Sequence, residues 1–94
     1  MGKLIKFEKD YADEFDVVGY RVMTNTELKQ YLLAAEKASY PKEMYFGTNE
    51  AVEFHSFDDF VNSLEIVDMS AEAAQVISDK VGDDFGWFPE FKGY

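Results

Sequence analysis

Carboxylates are the side chains of this sequence with the most chemical reach, and they fall into three groups. Asp10, Asp13, Glu14 and Asp16 form the first, Glu50, Glu53, Asp58 and Asp59 the second, and Asp79, Asp83, Asp84 and Glu90 the third. Paired carboxylates can act as general acid and base in glycoside hydrolysis, or hold a hard cation. Neither chemistry has its pattern here. An EF-hand loop needs ligands at alternating positions around a central Gly, and no group has that form. In a chain so rich in acids, pairs arise by chance. His55 is the only histidine and cysteine is absent, which argues against a zinc site, and a lone His on a strand beside Glu53 reads as a surface residue rather than a catalyst. No Gly-rich phosphate loop is present. The expectation is a protein without catalytic residues, cofactor or metal.

Charge carries more information than any motif. Nineteen Asp plus Glu stand against nine Lys plus Arg, a formal net charge of −10. Such a surface repels nucleic acid and anionic lipid, so direct binding to either is not expected. It attracts a basic surface. Alternate residues of a strand lie about 6.6–6.8 Å apart and can present carboxylates in a row. A basic groove made for phosphates does not distinguish the two kinds of anion at long range.

The stretch DKVGDDFGWFPEF, from Asp79 to Phe91, places the third acidic group beside four aromatic rings, including the only tryptophan. These rings can fold back and close an edge of the core, because large rings tie down a terminus. They can equally anchor a partner, as Trp and Tyr do at interfaces. Both hold if Phe85 and Phe88 pack inward while Trp87 sits at the rim. The segment 83–94 is read as an irregular aromatic tail.

The elements that must position these groups follow from periodicity. KLIKFEK, residues 3–9, alternates as a strand with Ile5 and Phe7 on one face. DVVGYRVMT predicts a second strand with Val18, Tyr20 and Val22 inward, and Gly19 permitting a bulge or a close backbone approach. Thr24 and Glu27 have the capping-box spacing before a helix carrying Leu28, Tyr31, Leu32 and Ala35 at helical intervals. That helix ends near Ser39, ahead of Pro41. Gly47-Thr48-Asn49 is turn chemistry between strand-like MYF and AVEF, with Val52 and Phe54 facing one way and Glu53 and His55 the other. Ser56 caps a short helix with a stripe of Phe57, Phe60, Val61 and Leu64; Asp58 and Asp59 lie in its first turn, where the helix dipole favours anions. EIVDM is a further strand. Ser70 caps a last helix carrying Ala73, Ile77 and Val81, with Gly82 at its C′ position.

The predicted fold is one α+β domain over residues 1–94, a mostly antiparallel sheet of about five short strands with three helices in the order β-β-α-β-β-α-β-α. Phe7, Val18, Tyr20, Val22, Leu28, Leu32, Phe54, Phe60, Val61, Leu64 and Ile77 are expected to be mostly buried. With 47% apolar residues, nine Phe and six Tyr, the core needs no disulfide. The absence of cysteine, of a signal-peptide h-region and of a membrane span predicts a cytoplasmic protein.

The function expected from this composition is non-enzymatic: an acidic interaction protein, of the nucleic-acid-mimic or phage anti-defence type. It would bind and inhibit a basic nuclease or other nucleic-acid-binding protein. Glu50, Glu53, Asp58 and Asp59 are the expected contact, with Asp83, Asp84 and Trp87 as a second patch. An immunity protein that neutralises a toxin is the alternative, and a small enzyme the third reading.

Overall fold

The computed structural model describes residues 2–11, 14–81 and 84–91. Two ten-residue strands, β1 (Gly2–Tyr11) and β2 (Phe15–Thr24), form a long antiparallel hairpin paired from Gly2 and Thr24 to Tyr11 and Phe15. Their outer edges each receive one more strand, β5 (Leu64–Met69) beside β1 and β6 (Asp84–Gly86) beside β2. The order across this four-stranded sheet is β5-β1-β2-β6. Strands β3 (Lys42–Tyr45) and β4 (Ala51–Phe54) make a separate two-stranded hairpin. With helices α1 (Asn25–Lys37), α2 (Phe57–Asn62) and α3 (Ala71–Val81), the chain is an α+β fold with antiparallel sheets in the expected element order.

The local signals act as their chemistry requires. Thr24 Oγ1 accepts the Glu27 N–H while the Glu27 carboxylate accepts the Thr24 N–H, so two otherwise orphaned donors at the start of α1 are satisfied reciprocally. Ser56 Oγ accepts the Asp59 N–H to start α2, and Ser70 Oγ accepts the Ala73 N–H to start α3.

One face of the main sheet carries the core. Ile5 and Phe7 of β1 and Val17 and Met23 of β2 meet Leu28, Tyr31, Ala34 and Ala35 of α1, Val52 and Phe54 of β4, and Phe60 of α2. Phe88 and Phe91 close it from the C-terminal side. The rings meet mostly edge-on, as their quadrupoles favour: Phe54 and Phe60 are 5.4 Å apart at 89°, and Phe60 and Phe91 4.9 Å apart at 74°. Helix α3 also touches β1, together with β5 and β6, and since α1, β4 and α2 fill the face that carries Ile5 and Phe7, it lies against the other.

That double coverage corrects the expected facing of β2. Val18, Tyr20 and Val22 are only half-buried, on the face away from the aromatic core, while Val17, Gly19 and Met23 are buried against that core and Arg21 lies over its Phe88 ring. Gly19 is there because the chain crosses it: a Cβ would stand 1.9 Å from the carbonyl oxygen of Trp87. Val61 is also corrected, being exposed, since a six-residue helix has only a narrow inward stripe. Leu32, Leu64 and Ile77 are half-buried. Phe7, Leu28, Phe54 and Phe60 are buried as expected. The tail departs from the expected irregular form at its start. Asp84–Gly86 is a strand, and Gly86 at φ 75° occupies the left-handed region where its missing Cβ would strike Val18 O at 2.4 Å. Gly82 lies outside the described residues, and Val81 is described by its backbone alone.

Candidate functional site

The end of the β1–β2 hairpin brings together carboxylates far apart in sequence. Strand β5 reaches only as far along β1 as Phe7, and the last ladder-like bond on that side is Glu8 N–H to Ser63 O at 2.9 Å. Beyond it, the uncovered end of β1 opens a polar groove of about 400 Å³ lined by Glu8, Lys9, Asp10, Asp16, Asp59, Asn62 and Ser63. Members of the first and second acidic groups therefore meet in space.

Two kinds of carboxylate line this groove. Asp59 is tied into the fold. It accepts the His55 N–H at 2.9 Å and Lys9 Nζ at 3.1 and 3.3 Å. The His55 N–H, with help from Lys9, holds its pKa below the usual 3.8. Lys9 stays beside it by lying 5.5 Å from the centre of the Phe54 ring. Asp10 is the opposite case. It stands directly across the ladder from Asp16, so two carboxylates share one face. A shared hydrogen bond and the repulsion of the Asp16 charge favour its protonated form and raise its pKa above 3.8. Glu8 adds a further acid, at 3.7 Å from Lys6.

The expected contact residues are less gathered. Glu50 is exposed at the β3–β4 turn, where its backbone oxygen accepts the Phe46 and Gly47 N–H groups. Glu53 is exposed on β4, opposite Glu43 across the hairpin and 3.4 Å from His55 Nδ1. Asp58 is exposed in the first turn of α2. Of this set only Asp59 lines the groove. Asp83 lies outside the described residues, and Asp84 is described by its backbone alone, paired with Arg21.

Trp87 is half-buried, its ring 5.5 Å from Phe7 and 6.1 Å from Phe46, and its backbone N–H donates to Val18 O at 3.3 Å. The residues after it are clamped. Tyr31 OH donates to Pro89 O at 2.6 Å, Arg21 lies over the Phe88 ring at 4.8 Å, and Arg21 pairs with Glu90. The described rings of this segment, Trp87, Phe88 and Phe91, fold back against the core, in line with one of the two readings of the sequence, and Phe85 is described by its backbone alone.

Sequence reasoning grouped Asp10 and Asp16 but did not select them as contact residues. Their spacing was the available signal: five residues separate them in DYADEFD, between two strands whose register sets Asp10 opposite Asp16. Among the described residues, no group of three or more Asp, Glu or His is arranged to hold a metal ion, and no helix is long and apolar enough to cross a membrane. Comparison with known proteins finds no matching family model, no matching curated protein and no matching solved structure.

Proposed function

We propose that this protein is a non-enzymatic acidic interaction protein of the cytoplasm that occupies the basic groove of a nucleic-acid-binding protein and inhibits it. The observation that carries this reading is the meeting of Glu8, Asp10, Asp16 and Asp59 at one groove with Lys9 as the counter-charge lining it. Like charges directly opposite on a ladder are destabilising. The Asp10–Asp16 pair is thus a place where a partner's Lys or Arg is worth more than at an isolated surface acid, since it relieves a repulsion already present. Charge of this kind supplies fast, salt-sensitive encounter. The exposed acids Asp58, Glu53 and Glu50 extend the negative field beyond the groove.

The test begins with capture of a partner on the immobilised protein and continues with association rates over a salt series. Association should slow steeply as salt rises, and Asp10→Lys combined with Asp16→Lys should slow it further at low salt while the circular dichroism spectrum is retained. Nucleic acid should compete for the captured partner. Association that ignores salt, or a partner that binds nucleic acid and this protein at once, would overturn the reading.

A further inference from the structure

Strand β5 ends the sheet. It pairs with β1 alone, and among the described residues no backbone group outside that ladder bonds to it. The register fixes which of its backbone groups are free. The Glu8 N–H bonds to Ser63 O just beyond the ladder, and this sets its phase: the hydrogen-bonded pairs are Lys6 with Glu65, Leu4 with Val67 and Gly2 with Met69. Glu65, Val67 and Met69 therefore turn their N–H and C=O towards β1, and Leu64, Ile66 and Asp68 turn theirs outward.

The side chains of this edge are unusual for one facing water. Ile66 and Val67 are 44% and 46% exposed, one on each face of the sheet, and Glu65 and Asp68 flank them. Lys3 meets Asp68 across the ladder, but the Asp68 side chain remains 76% exposed. Open edges are templates for strand addition, and charges placed on them select against the wrong strand. A second copy of this chain fits poorly. Pairing centred on Ile66 would set Glu65 against Val67 and Asp68 against Leu64 of the other copy. The carboxylates would gain no cation, and two chains of net charge −10 would be brought together. A strand reading basic-apolar-apolar-basic matches all four positions, with cations opposite Glu65 and Asp68 and apolar side chains opposite Ile66 and Val67.

We propose that β5 is a docking edge that takes an extended segment of this basic-apolar-apolar-basic pattern as a fifth, antiparallel strand. The inference rests on the reading above in taking the partner as basic, and it adds where and how a segment of that partner binds. The probe is a synthetic hexapeptide, Thr-Lys-Val-Val-Lys-Thr with blocked ends, titrated to millimolar concentration while backbone amide exchange is followed residue by residue. The expected result is an alternation. Amides of Leu64, Ile66 and Asp68 should slow by about tenfold or more, because they gain acceptors, and those of Glu65 and Val67, already bonded to β1, should change little. The peptide with Glu in place of Lys should have no such effect. Ile66→Pro should abolish the protection, since it removes an outward N–H without costing a ladder bond. No change at millimolar peptide, uniform slowing along the chain, or equal protection by the Glu peptide would overturn the proposal. So would the same alternation in concentrated protein alone, which would mean that a second copy is the occupant. The two readings separate on a captured partner. If Ile66→Pro leaves binding intact while charge reversal at Asp10 and Asp16 weakens it, the edge proposal fails and the acidic reading stands. If neither changes binding, the acidic reading fails as well.

Discussion

On the inner face of the sheet, Phe7 meets Phe54, Trp87 and Phe88 edge-on at 6.0, 5.5 and 6.2 Å. Three residues further along the same strand, Asp10 faces Asp16 with two negative charges on one rung. The inner face has its polar atoms satisfied: among the described residues no buried side-chain nitrogen or oxygen lacks a partner. The hairpin end keeps a repulsion that Lys9 only partly offsets. The contrast separates residues that stabilise the structure from residues that the structure tolerates. It also divides the carboxylates of a single groove, since Asp59 belongs to the first kind and Asp10 to the second.

The largest test of this division is Phe60→Ala. Phe60 is fully buried and its ring touches Tyr31, Phe54, Phe57 and Phe91, so truncation should cost about 3–5 kcal/mol in denaturant unfolding. A cost near zero would mean that the aromatic face does not hold the molecule together.

Tyr31→Phe is smaller and more specific. It keeps the ring but leaves the Pro89 carbonyl, now served by Tyr31 OH, without its donor. A loss of about 1–3 kcal/mol is expected, with faster proteolysis of the C-terminal segment as the local readout. Unchanged stability with unchanged proteolysis would show that ring packing alone retains residues 87–91.

Both tests concern a part of the fold that the sequence only half disclosed. Local signals were legible: the Thr24–Glu27 box, the Ser56 and Ser70 caps and the alternation around Val52 and Phe54 all depend on neighbours a few residues away. The facing of β2 was not. Val18, Tyr20 and Val22 form the more apolar phase, and a single covered face would have to take them inward. The sheet is covered on both sides, and the inner phase includes a glycine for a reason 68 residues distant in sequence, the approach of Trp87 to Gly19. The three-residue β6 is too short to have a period. For the groove, the sequence showed the acidic groups but not that Asp59 would reach Asp10 and Asp16, because that depends on β5 stopping short along β1.

The smallest effect is the most diagnostic, because it is a difference in sign. The Asp59 pKa is lowered on folding, so its contribution to stability is present above the ordinary 3.8 and is lost as pH falls through the lowered folded value. The Asp10 pKa is raised, so the native state binds its proton more tightly than the unfolded chain does. Its favourable contribution is present below 3.8 and disappears as pH rises through the raised folded value, leaving the Asp10–Asp16 repulsion in force at neutral pH. Asp59→Asn should therefore melt below the parent protein at pH 7, and the deficit should shrink once the solution is more acidic than 3.8. Asp10→Asn should melt above the parent at pH 7, since the amide donates to Asp16 without the charge. That gain should fade as the pH falls towards 3.8, where the parent acquires the proton. Thermal melts of the three proteins at both ends of this range decide the matter. Shifts of the same sign at pH 7 would mean that the two carboxylates play one role, and that the hairpin end holds no repulsion for a partner's cation to relieve.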